Sequence, residues 1–251
     1  MEYNNNPYGQ QPQSPRETFP TLWSNDEDLA RATTSCLARV FMRMFIGLLV
    51  TAAVSFGISS SMGAMDFLGT YAWLFIGILI LQVVIVLILS FRVMKMSPVV
   101  SNVMFFIYAA LMGVTLSIVF IAYDLGTIFQ AFAISALMFG AMAIYGTITR
   151  RDLTRIGTFL RMALVGLIIA SIVNLFFLND TMFMIINYAG VLIFVGLTAY
   201  DTQRIKNMLA EANEANAEEA IKKISVIGAL ILYLDFINIF LKILAIIGRR
   251  R

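Results

Sequence analysis

The chain has 251 residues, 60% of them hydrophobic and only 13% charged, with a net charge of +3. A soluble domain is nearer half apolar and a quarter charged. Here the apolar residues fall in runs near the ~20 needed to cross a bilayer as a helix, which excludes a soluble domain and predicts an all-α polytopic membrane protein. Basic residues scattered over short loops exclude a nucleic-acid surface.

Residues 1–37 differ from all that follows. Asn4-Asn5-Asn6-Pro7-Tyr8-Gly9-Gln10-Gln11-Pro12 is rich in Asn, Gln and Pro, and four of the five prolines fall in the first twenty residues. Such a segment has too little apolar surface to offset its ordering entropy, so a disordered cytoplasmic tail is expected, followed by a transmembrane domain over 38–251. No basic start runs straight into an apolar core, so no secretory signal is expected. Ser24-Asn25-Asp26-Glu27-Asp28 could cap a short helix leading into the membrane. The lone Cys36 allows no intrachain disulfide framework and is expected to be a small filler before the first span.

Seven apolar segments follow, at about 40–61, 71–91, 99–122, 127–149, 158–178, 182–203 and 224–247, with boundaries good to a few residues. Six look like full spans. The seventh carries Asp235, Asn238 and Lys242, which makes it the candidate for a helix buried among the others. Ala136 with Gly140, and Gly166 with Ala170, have the small-xxx-small spacing of close helix contacts.

The loops set the orientation. Fourteen of the eighteen lysines and arginines lie before segment seven on one side of a six-span zigzag: Arg16, Arg31, Arg39, Arg43, Arg92, Lys95, Arg150, Arg151, Arg155, Arg161, Arg204, Lys206, Lys222 and Lys223. The opposite loops hold only Asp66, Asp124 and Asp180, so the N-terminus is expected in the cytoplasm. A full seventh span would put Arg249-Arg250-Arg251 outside, against the same rule. Either segment seven is re-entrant or helix packing overrides a weak terminal signal. The loop at 207–223 has good helix formers in acidic-then-basic order, which predicts a short helix or a helix extension.

Chemistry points to two acids, Asp201 and Asp235, each inside a membrane-length segment. A carboxylate in hydrocarbon is costly and marks an ion path, a proton relay or a sensor. At 1.5 Å per residue, Asp201 lies roughly 8 Å and Asp235 roughly 16 Å in from the cytoplasmic helix ends, so a modest offset would let them meet. Two adjacent carboxyls cannot both ionise cheaply and would share one proton, giving a pH sensor in a chain with no histidine. Ionised, Asp201 and Asp235 would serve as metal ligands for a hard cation such as calcium, and Asn238, on the same helical face as Asp235, could add a carbonyl oxygen. The alternatives are an interfacial Asp201 and a structural ion pair at Asp235. Arg92, with Lys95 as competitor, is the expected gating partner, or else an ordinary snorkelling anchor. No metalloprotease, serine-base or phosphate-loop motif is present. Tyr200 and Leu234 stand where intramembrane aspartyl proteases carry glycine, so no enzyme and no cofactor are expected.

Tyr200-Asp201-Thr202-Gln203-Arg204-Ile205-Lys206 and Ala229-Leu230-Ile231-Leu232-Tyr233-Leu234-Asp235-Phe236-Ile237-Asn238-Ile239-Phe240-Leu241 resemble the sixth- and seventh-helix signatures of the Bax inhibitor (transmembrane Bax inhibitor motif) family, bacterial branch. Phe106–Ser117 resembles its third helix. The resemblance covers about residues 38–247. It implies a multi-pass protein of the bacterial inner membrane, with the seventh helix central and six packed around it. It also implies a pH-sensitive calcium leak channel with calcium as the transported ion. Asp201 and Asp235 would be the sensor and Arg92 the closed-state partner of Asp201, though spacing to Gly113 also allows Lys95. Some bacterial members carry a helix-two glutamate, where this chain has Leu81-Gln82-Val83. Other members are described as modulators of a membrane-bound quality-control protease, so a non-conducting regulatory role, with that protease as partner, is the alternative.

Overall fold

The computed structural model describes residues 26–61, 63, 70, 72–210 and 217–248. Seven long helices account for the membrane domain among these: α1 (Asp26–Ser59), α2 (Ala72–Arg92), α3 (Pro98–Ala122), α4 (Leu125–Ile148), α5 (Thr154–Phe177), α6 (Asp180–Ala210) and α7 (Ala217–Ile247). Each contains a stretch long and apolar enough to cross a bilayer. A short 3-10 turn, Val93–Lys95, follows α2.

The helices begin and end on local signals. Pro98 opens α3 at the first helical position, and the Ser97 hydroxyl accepts from the Val100 amide. Asp124 caps α4 by accepting from the Thr127 amide at 2.9 Å. Between α5 and α6 the chain reverses in two residues. Leu178 takes a left-handed conformation (φ 48°), and the Asn174 and Asn179 side chains accept from the Asn179 and Met182 amides. At the start of α7, Lys222 and Lys223 pair with Glu218 and Glu219, each at 2.8 Å and four residues on. The Lys222 hydrogen bond and charge hold the Glu218 carboxyl below the ordinary carboxylate range.

α7 is the most buried span, and α5 the least. α7 packs against α1, α3, α4 and α6, and its start touches the 3-10 turn. The surround is therefore uneven: α2 packs chiefly on α3, and α5 on α6, so both stand farther out. Their outward faces carry Trp73, Phe91, Phe159 and Phe176, the kind of surface that faces lipid. Around α7 the core is aromatic. Tyr233 is fully buried with Phe105 and Tyr108 edge-on to it, and Phe236 lies edge-on to Phe132 and Phe139.

Two expectations change, and one choice left open by the sequence is decided. Helix α1 starts at Asp26, so residues 26–37 belong to a helix and not to the tail, and Cys36 and Leu37 are buried. Polar residues on the outer turns hid an apolar inner face. Residues 1–25 lie outside the described part. Segment seven is not re-entrant: α7 runs unbroken, and Gly248 just beyond it lies against Tyr123 at the far end of α3. The small-xxx-small pairs do not mark the close contacts, since Gly140 and Gly166 face open space. The close approaches fall at Gly113 against Thr51 and Val54, Gly146 against the Ala199 backbone, and Gly157 against the Tyr200 ring. The loop expectation holds in part. Residues 207–210 extend α6 and 217–223 extend α7, with 211–216 outside the described part.

A methyl group at Gly146 would collide with backbone that cannot step aside. Gly146→Ala is therefore expected to lower stability by about 1–3 kcal/mol, while Gly166→Ala is neutral or mildly stabilising. Thermal unfolding of the two variants in the same detergent checks this.

Candidate functional site

Helices α6 and α7 run antiparallel, and two contacts fix their register. Ile205 lies against Gly228, and Lys242 lies along Gly190. Counting inward from the first contact at 1.5 Å per residue, Asp201 is about 6 Å and Asp235 about 10 Å deeper. The acids thus sit about one helical turn apart in depth on a shared seam.

Both are buried, Asp201 to 8% exposure and Asp235 to 5%. Asp201 is the charged group that acts on Asp235. One oxygen of Asp235, Oδ2, is buried without a hydrogen-bond partner among the described residues. A lone buried charge there would be strongly unfavourable, so this oxygen needs a proton or a cation. The Asn238 amide donates to the Leu234 carbonyl of its own helix at 2.8 Å, which leaves its carbonyl oxygen as the end not used as a donor. No cluster of three or more His, Cys, Asp or Glu that could hold a metal occurs among the described residues. Two carboxyls alone make a weak cation site.

The expected Arg92 contact is not formed. Asp201 pairs with Arg204, one turn along α6, at 3.9 Å, and Arg161 of α5 also acts on it. Neither Arg92 nor Lys95 does. Loop charge gives a residue's side of the membrane but not its direction around the bundle, and α2 stands against α3, away from α6.

Sequence reasoning missed much of what holds Asp201 in place. Arg161 lies over the Tyr200 ring, 5.0 Å from its centroid. The Gln203 side chain accepts from the Leu153 amide (2.9 Å) and donates to the Arg151 carbonyl (2.8 Å), pinning the α4–α5 loop. Lys206 donates to the Thr147 carbonyl at 2.6 Å, where α4 ends. The Thr202 hydroxyl donates to Thr198 on its own helix. On α7, Tyr233 meets the Thr51 hydroxyl of α1 at 2.6 Å, and Thr51 also lies 2.8 Å from the Ala109 carbonyl. Gln82 of α2 is buried and donates to Thr115 at 2.5 Å, tying α2 to α3.

Toward the other side of the membrane a cavity of about 660 Å³ lies between the ends of α3, α5, α6 and α7. Asn174, Asp180, Asn187 and Lys242 line it. Lys242 is seven residues beyond Asp235 on the same face of α7, so the cavity lies in line with the seam.

Gln203 holds the α4–α5 loop through two hydrogen bonds. Gln203→Ala is expected to speed amide exchange at Arg151–Thr154 with the helix cores unchanged. Hydrogen–deuterium exchange read by mass spectrometry checks it.

Residues 33–251 match the family described as Inhibitor of apoptosis-promoting Bax1. The chain is 44% identical over 215 residues to Inner membrane protein YbhL of Escherichia coli (strain K12), covering 86% of this chain and 92% of that protein. It is 39% identical to a protein of Borreliella burgdorferi, with the same coverage of both chains. It is 38% identical to one of Deinococcus radiodurans, covering 84% of this chain and 88% of the relative.

Proposed function

The chain belongs to the Bax inhibitor family, and from that premise we propose that it is a multi-pass protein of the bacterial inner membrane that leaks calcium down its gradient under proton control. It is a channel and not an enzyme, and calcium is its cargo. The observation that carries this proposal is Asp235, buried in the central helix with one carboxyl oxygen unpartnered and Asp201 as the charge acting on it.

In the closed state the two carboxyls share a proton across the seam, and Arg204 and Arg161 offset the remaining charge on Asp201. As pH rises the shared proton leaves. Two like charges in a low-dielectric seam repel, and α6 and α7 part between the cytoplasmic end and the outer cavity. Calcium replaces the lost proton as the partner of the pair. A site of two carboxylates completed by water and carbonyl oxygens binds it weakly enough to release it, as conduction requires. Lys242, in line with the outer cavity, opposes cations there and keeps the flux to a leak.

Purified protein in liposomes should pass calcium faster at higher pH. Asp201→Asn and Asp235→Asn keep the side-chain size but remove the titration, so each flux should become independent of pH. Unchanged pH dependence in both would refute the gate. No flux above empty liposomes from folded protein would favour a non-conducting regulator of a membrane-bound protease. Deleting residues 1–25, and not 1–37, then tests the tail as the partner's handle without cutting into α1.

A further inference from the structure

A second cavity, of about 610 Å³, lies where α1, α3 and α7 meet on the cytoplasmic side. It is lined by Arg39, Arg43, Pro98, Val99, Asn102, Glu218 and Lys222. We propose that this cavity binds a phosphate group, that of an anionic phospholipid headgroup or of a soluble phosphate. The proposal is independent of the calcium reading.

Charge carries it first. Arg39 and Arg43 are one turn apart on α1 and act on each other, an arrangement that destabilises a helix unless an anion sits between them. The only lining acid is Glu218; Lys222 pairs with it at 2.8 Å, and the charge of Arg39 also acts on it. Arg43 donates to the Ser225 hydroxyl of α7, a neutral acceptor. Three lining cations thus face one carboxylate, an excess of two positive charges.

Donor geometry carries it second. The first turn of α3 opens at the cavity with Pro98 and Val99 in its wall. Ser97 caps the Val100 amide and Pro98 has no N–H, so the Val99 amide and the positive end of a 25-residue helix remain for an anion. The Asn102 side-chain oxygen is buried with no hydrogen-bond partner among the described residues. The two ends of an amide are exchangeable, and turning it presents an N–H₂ donor instead.

The surroundings favour the lipid. Val99 is 72% exposed, and Val103, one turn deeper on α3, is also exposed. Together they form an apolar ridge running from the cavity along the bundle, where an acyl chain would lie. Basic pockets between helices on the cytoplasmic side are a recurring setting for such headgroups.

The test titrates delipidated protein in neutral detergent with phosphatidylglycerol, phosphatidylcholine or inorganic phosphate, and follows thermal unfolding. Phosphatidylglycerol should raise the midpoint with saturation, and phosphatidylcholine should not. Arg39→Gln should weaken that response about ten-fold, the loss of one charge-assisted hydrogen bond. Arg39 makes no hydrogen bond among the described residues, and on Glu218 it is a second cation beside Lys222, so the unliganded midpoint should change little, and Arg39→Lys should retain part of the response. Saturable stabilisation by inorganic phosphate alone, equally lost in Arg39→Gln, would identify the soluble source. An equal response to both lipids, or an undiminished response in Arg39→Gln and in an Arg39→Gln/Lys222→Gln variant, would overturn the site.

Discussion

Asp235 has a carboxyl oxygen that meets no donor among the described residues, in a helix that must not show that oxygen to lipid. In hydrocarbon there is no water to complete an unsatisfied polar group, so α7 has to be sheathed over most of its length. The small and polar residues of its neighbours follow from that need. Thr51 of α1 satisfies the Tyr233 hydroxyl, and Gly47 leaves room for Phe105 and Tyr233. Gly228 admits Ile205 and Val40 against the backbone of α7 itself. Helices that do not touch α7 closely carry apolar faces to the outside, and α2 and α5 are such helices.

The stretch Tyr200–Lys206 works as one junction because each residue turns to a different neighbour. Tyr200 fills the space at Gly157 of α5, and Asp201 faces the seam. Gln203 holds the loop before α5, Ile205 meets Gly228 of α7, and Lys206 reaches the end of α4. A helix presents successive residues about 100° apart, so seven residues suffice to address every side. Asp201 cannot shift without disturbing contacts to three other helices. A charge change at that one residue would therefore be felt across the cytoplasmic half of the bundle.

The spans were legible because twenty apolar residues between charged loops have one physical meaning. The acids were legible because a charge inside such a run is conspicuous. What sequence left open was azimuth. Arg92 stands on the expected side, yet α2 turns toward α3, and the arginines near Asp201 are Arg204 and Arg161. Gln203 bonds residues fifty and fifty-two positions away, a distance no local pattern encodes. The glycine pairs misled because small residues permit close approach without requiring it. The start of α1 misled because a polar outer face and a buried Cys36 alternate within one helix.

The order of synthesis gives the central place of α7 a further meaning. The ribosome makes this helix after the other six. Until it arrives, Thr51, Asp201 and the cleft at Gly47 line an unfilled trough. The six earlier helices must therefore either remain loosely associated or stay sheltered by the insertion machinery until α7 emerges. A nascent chain released too early would present lipid with an acidic groove, which is the kind of surface that membrane quality control is equipped to detect.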